Sequence, residues 1–158
     1  MQATANLWSH LDRQLQQDIE TSRQLLEILL TERQLFETRD YKPLEALVAQ
    51  KLELVQRLEQ SAATRLQWLQ QHGLPTEADA LTAARQHAPT TATHWQETAD
   101  LWHECQAANQ VNEQICRRSR LVVENVLDIL RGRHNQSSTY DAKGVAQRGQ
   151  SGRPISSA

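Results

Sequence analysis

The residues best equipped for chemistry are six histidines, two cysteines and four tryptophans among 158 positions. Metal sites on helical bundles pair Glu-x-x-His motifs from two helices. The near match here is Asp100-Leu-Trp-His103, a single Asp-containing copy, and it reads as two solvated side chains on one helix face. Histidine phosphotransfer places an exposed His shortly before Lys-Gly on a helix, whereas His87 precedes Ala-Pro and His72 sits at a helix end. The chain has no Gly-rich phosphate loop, no nucleophile elbow and no Cys-x-x-Cys pair. Catalysis also needs positioned groups in a dry pocket, which a thin helical bundle rarely encloses. The expectation is therefore a protein that is not an enzyme, with no catalytic residues, no metal ligands and no cofactor.

The remaining polar and aromatic residues have structural readings. Cys105 and Cys116 are 11 residues apart, so on a continuous helix they lie about 16 Å apart and cannot bridge. Both read as small buried apolar residues in a reducing compartment. Trp8, Trp68, Trp95 and Trp102 read as one aromatic cluster closing an end of a bundle rather than as a ligand pocket. Asn109 and Asn112 stand where a coiled coil would hold apolar residues; they either fix register from inside or rotate outward.

The elements that must position these residues are helical. Hydrophobic residues make up 39% and aromatics 4%, and nine residues are Gly or Pro, so the chain lacks the β-branched runs and frequent turns of a sheet protein. Leu carries most of the apolar surface among Gln, Glu and Arg, which suits helices that each bury one stripe. The net charge is −2, without the basic excess of a nucleic-acid binder. No apolar run approaches the roughly 20 residues that span a bilayer, and the first residues lack signal-peptide character, so a cytoplasmic location is expected.

Stepping of three and four residues predicts helices over about 6–38, 41–72, 77–86 and 94–131, forming one domain over 1–132. The short link at Thr38-Arg39-Asp40 folds the first two into an antiparallel hairpin, with facing residue numbers summing to roughly 80. Asp40 is expected to cap the second helix, with Pro43 in its first turn and Gly73 at its end. Thr76-Glu-Ala-Asp79 resembles a capping box for the short third helix. Gly132 is expected to stop the last helix. The segment 133–158, with four cations against Asp141, is expected to be a flexible, disordered tail. The fold class is all-α: a long antiparallel helical hairpin plus another long helix, in a thin three-to-four-helix bundle or coiled coil.

One stretch exceeds what such a bundle can bury. Leu121, Val122, Val123, Val126, Leu127, Ile129 and Leu130 crowd into ten residues and cover more than one stripe. One face, through Val123, Val126 and Leu130, is expected to turn inward, leaving the other for a partner helix or a second copy. On the residues alone, partner binding and self-association stand equally open.

The stretch Leu29-Leu-Thr-Glu-Arg-Gln-Leu-Phe36, followed by Arg39-Asp40, Leu44, Leu47 and Lys51, resembles the N-terminal hairpin of FlgN-type flagellar export chaperones. Asn109-Gln-Val-Asn112, then Val122 to Leu130, then Thr139-Tyr-Asp-Ala-Lys-Gly144 resembles the C-terminal pattern of that family, the Tyr-x-x-x-Gly signature being its most specific part. The resemblance covers nearly the whole chain. It implies a cytoplasmic chaperone of the flagellar type III export system. Its partners would be the hook-filament junction (hook-associated) proteins, whose C-terminal amphipathic segments it would hold back from premature assembly, and components of the export apparatus. It further implies client contact through Val122, Val123, Val126, Leu127, Leu130 and Tyr140. The alternative is a structural coiled-coil adaptor that self-associates, as a homodimer, through the last long helix.

Overall fold

The computed structural model describes the backbone of residues 2–138 and the side chains of residues 6–131. It is all-α: α1 (Gln2–Thr38), α2 (Leu44–Gln71), α3 (Glu77–His87) and α4 (Pro89–Ser138). The chain divides into two compact units between Cys116 and Arg117.

In the first unit α1 is the spine. Leu7, Leu11, Leu15, Ile19, Ser22, Leu25 and Leu29 recur at three- and four-residue steps and are all buried. α2 runs antiparallel to α1: Gln14 Nε2 donates to Ser61 O at 3.2 Å, Arg65 Nη1 meets Asp18 Oδ2 at 2.5 Å, and Lys51 Nζ meets Glu32 Oε2 at 3.2 Å. These pairs keep the facing residue numbers close to the expected sum. α4 runs parallel to α1 at an offset near 80, seen in His94–Asp12 at 2.7 Å, in Cys105 Sγ donating to Ser22 O at 3.4 Å, and in Asn112 Nδ2 donating to Leu29 O at 2.7 Å.

The turns follow from local chemistry. α1 ends in a Schellman motif, with Asp40 N–H donating to Leu35 O at 3.1 Å and Arg39 N–H to Phe36 O at 3.3 Å. Arg39 occupies the left-handed position, φ 57°, which normally falls to glycine. α2 ends the same way with Gly73 at φ 75°, and Leu74 folds back over the core. Asp40 does not cap α2: Pro43 stands at the N-cap without a side-chain bond, and α2 starts at Leu44. Thr76 caps α3 as its box predicts, accepting from Asp79 N–H at 3.1 Å and donating to Asp79 Oδ2 at 2.6 Å.

Two boundaries of the last helix differ from the sequence reading. α4 starts at Pro89, five residues before His94. Proline is preorganised for the first helical turn, and it forces Ala88 into an extended conformation, φ −149°, which separates α3 from α4. At the other end α4 continues through Gly132 to Ser138. A single glycine costs a helix only about 1 kcal/mol and does not compel a stop. The segment 139–158, including most of the expected tail, lies outside the described residues.

The core forms two clusters. Trp8 and Trp95 are buried among Leu7, Leu11, Leu15 and Leu69, with Trp68 packed alongside. Trp68 also stacks between His10 and His72, each with a ring centroid 4.4 Å away. Trp102 does not join them; it is 38% exposed, because Cys105 and Ala108 take the inward face of α4. The second cluster sets Leu25 and Leu29 against Leu54, Leu58, Cys105 and Ala108.

Candidate functional site: an apolar run on the last helix and a trough in the first unit

In α4, Leu121, Val122, Val123, Val126, Leu127, Ile129 and Leu130 are all between 44% and 61% exposed. None turns inward, so the expected burial of Val123, Val126 and Leu130 does not occur. At 100° per residue, six of the seven fall on one continuous arc of about 160°, in the order Ile129, Val122, Val126, Leu130, Val123, Leu127. Leu121 stands apart, nearer the polar edge that Glu124, Asn125 and Asp128 form. An arc this broad carries three rows of side chains, more than the two rows of a coiled-coil seam. Arg120 Nε pairs with Glu124 Oε1 at 3.1 Å across one turn, an exposed pair that supports the helix without covering the arc. Five of the six expected contact residues, Val122, Val123, Val126, Leu127 and Leu130, lie on this arc, and Ile129 joins them. Tyr140 lies outside the described residues.

The first unit carries a different feature. α2 and α4 flank α1 and leave a trough between them, in two stretches of about 350 and 210 Å³ that are both lined by Trp102. Leu58, Ala62 and Ala99 line the larger stretch; Leu25, Leu29, Val55 and Cys105 line the smaller. The larger stretch holds a buried ion pair that the sequence reading missed. Arg65, on the buried stripe of α2, meets Asp18 at 2.5 Å and the more exposed Glu77 at 3.4 Å, with its Cζ 5.9 Å from the Trp95 ring centroid. The one available signal was spacing: Arg65 is seven residues after Leu58 and four before Leu69, whereas the neighbouring Leu66 is exposed. Nε and Nη1 of this guanidinium each meet a carboxylate, so the pair is a structural brace.

A second polar knot crosses the far end of the unit. Asn112 is buried; its Nδ2 donates to Leu29 O at 2.7 Å and to Glu32 Oε2 at 2.8 Å, and its Oδ1 accepts from Arg33 Nε at 3.2 Å. Lys51 reaches the same Glu32 carboxylate from α2. One asparagine thus joins all three long helices through Glu32, which is the register-setting role of a buried seam asparagine. Asn109 is only half-buried.

The cysteines separate in environment. Cys105 is buried, and burial, helped by Glu104, pushes its thiol from 9.0 up to about 11. Cys116 is exposed, contrary to the sequence reading, since Ile115, three residues after the buried Asn112, takes the inward side of α4 there. Its thiol is also raised, chiefly by what burial it has and by the Glu32 charge, against an opposing effect of Lys51. Asp100 accepts from Gln96 Nε2 at 3.0 Å rather than joining His103 in a metal pair. Among the described residues there is no cluster of three or more His, Cys, Asp or Glu, and no helix is long and apolar enough to cross a membrane.

The first unit is thus an α-helical hairpin braced against α4 by buried polar knots, and the later part of α4 carries a broad exposed apolar face. A family model described as FlgN protein matches residues 7–148. The chain belongs to that family, the flagellar chaperones of type III export. No curated protein and no solved structure gives a significant match to it.

Proposed function

We propose that this chaperone works in the cytoplasm on the C-terminal amphipathic segments of hook-filament junction (hook-associated) proteins. It holds those segments from premature assembly and hands the client to the export apparatus, without catalysing a reaction. The observation that carries this reading is the arc of six exposed apolar side chains on α4. An amphipathic client helix has one apolar stripe to hide, and this arc offers it a matching surface at no cost to the chaperone's own core. The client pays the ordering entropy on binding, which keeps the complex reversible enough for transfer. Val122, Val123, Val126, Leu127 and Leu130 form the contact, with Tyr140 assigned to it by family pattern.

The test is Val126→Asp combined with Leu130→Asp in the full chain, titrated with a client C-terminal peptide. Both side chains are about half exposed, so the helical circular dichroism stays unchanged. Each replaced residue forfeits about 1 kcal/mol of apolar burial and sets a carboxylate against an apolar stripe, so affinity falls by roughly 100-fold or more. Unchanged affinity would remove this site assignment.

A further inference from the structure

The larger stretch of the trough, about 350 Å³, is the size of a small-molecule cleft. Its lining includes buried polar groups with bonding capacity left over. Arg65 and Asp18, 8% and 7% exposed, both face it. Glu77 and Asp18 Oδ2 take Arg65 Nε and Nη1, whereas Arg65 Nη2 and Asp18 Oδ1 make no hydrogen bond among the described residues. The two side chains are already joined, so this open donor and open acceptor lie close together. A ligand hydroxyl suits them, since it accepts from one and donates to the other.

The rest of the lining is apolar and acidic. Leu58, Ala62, Ala99 and Trp102 supply the apolar part. Trp102 stands apart from both core clusters and is 38% exposed, which leaves indole surface for a flat ring. Glu59 and Glu77 are exposed at the same cavity, and the Glu59 carboxylate makes no hydrogen bond or ion pair among the described residues. Three carboxylates against one guanidinium leave the lining at a net of −2 with His103 neutral. That field attracts a cation and repels an anion.

We propose that this cavity binds a small aromatic amine that carries a hydroxyl at the end away from its ammonium group. The ammonium faces Glu59 and Glu77, the ring lies against Trp102 and the two alanines, and the hydroxyl meets Arg65 Nη2 and Asp18 Oδ1. An acid of the same shape brings a like charge to the carboxylates. An amine without the hydroxyl leaves the buried donor and acceptor unpaired. The site belongs to the first unit alone and does not rest on client binding to the α4 arc.

The test is calorimetric titration of the full chain with tyramine as the probe. Binding saturates at one site per chain with a Kd below about 1 mM, in keeping with about ten non-hydrogen atoms. Phenethylamine, which lacks the hydroxyl, binds about tenfold more weakly. Hydroxyphenylpropionate, which carries a carboxylate in place of the ammonium, does not bind measurably. Glu59→Gln keeps its helical circular dichroism, because the side chain is exposed, and weakens tyramine about fivefold at low salt. Ala99→Leu fills the cavity, and tyramine then no longer raises the urea midpoint as it does in the parent. Heat without saturation overturns the proposal. So does equal affinity for the amine and the acid, or tyramine binding unchanged in both variants.

Discussion

Replacing Asp18 by leucine removes the carboxylate that neutralises Arg65 inside the first unit. Both side chains are less than a tenth exposed, at 7% and 8%. Removing one partner of a buried pair leaves an uncompensated charge, which costs about 3–5 kcal/mol. Glu77 at 3.4 Å and the Trp95 ring at 5.9 Å remain to hold the guanidinium, and each recovers part of that cost. The net loss is therefore about 2–3 kcal/mol. Replacing both residues, Asp18→Leu with Arg65→Met, removes the charge together with its need for a partner. That double variant falls within about 1 kcal/mol of the parent, since apolar replacement of a buried pair is often neutral. The assay is urea unfolding followed by helical circular dichroism across the four proteins of the cycle. A double variant as unstable as the sum of the two single variants would refute this reasoning. So would Asp18→Leu within about 0.5 kcal/mol of the parent.

Four further outcomes follow from the same geometry. Asn112→Ala strips two donors and an acceptor from the knot on Glu32 and Arg33, and it lowers stability by about 2–3 kcal/mol in urea unfolding. Arg39→Gly relieves a left-handed φ of 57° and raises stability by about 0.5–1 kcal/mol, read as a higher urea midpoint with unchanged slope. Cys105, raised from 9.0 to about 11, keeps its proton in the folded state after the unfolded thiol has lost it. Its contribution is complete below pH 9 and is lost as pH rises towards 11, by roughly 2–3 kcal/mol, and Cys105→Ala abolishes that alkaline slope. At neutral pH a thiol reagent labels Cys116 quickly and Cys105 only on unfolding.

Much of the fold was legible because one-dimensional patterns dictate it. The α1 stripe from Leu7 to Leu29 repeats at the helical period, and the five-residue link after Thr38 is short enough to fold the next helix back as a hairpin. The Thr76 cap was equally readable, because its chemistry is local. The start of α4 at Pro89 is ambiguous in sequence because proline marks a helix start as readily as a helix end, and only the Ala88 carbonyl, which takes the first helical bond from Ala92 N–H at 3.0 Å, decides between them. Arg65 and Asp18 escaped notice because a charged residue on a core stripe looks solvated until its partner on another helix is known. The apolar surplus at 121–130 was visible, but whether any of it is covered is a tertiary quantity that spacing along one helix does not give. The trough had no sequence signature, since it is the space that three helices leave between them.

The most direct measurement is hydrogen exchange on the full chain, alone and with a saturating client C-terminal segment. Residues 121–130 form a helix whose apolar side chains meet solvent, so their amides exchange readily in the free protein. The bound client is expected to slow exchange most strongly across these residues, with Asn112 and the helical core unchanged. A bound client that leaves 121–130 exchanging as before, and protects some other segment, would contradict it.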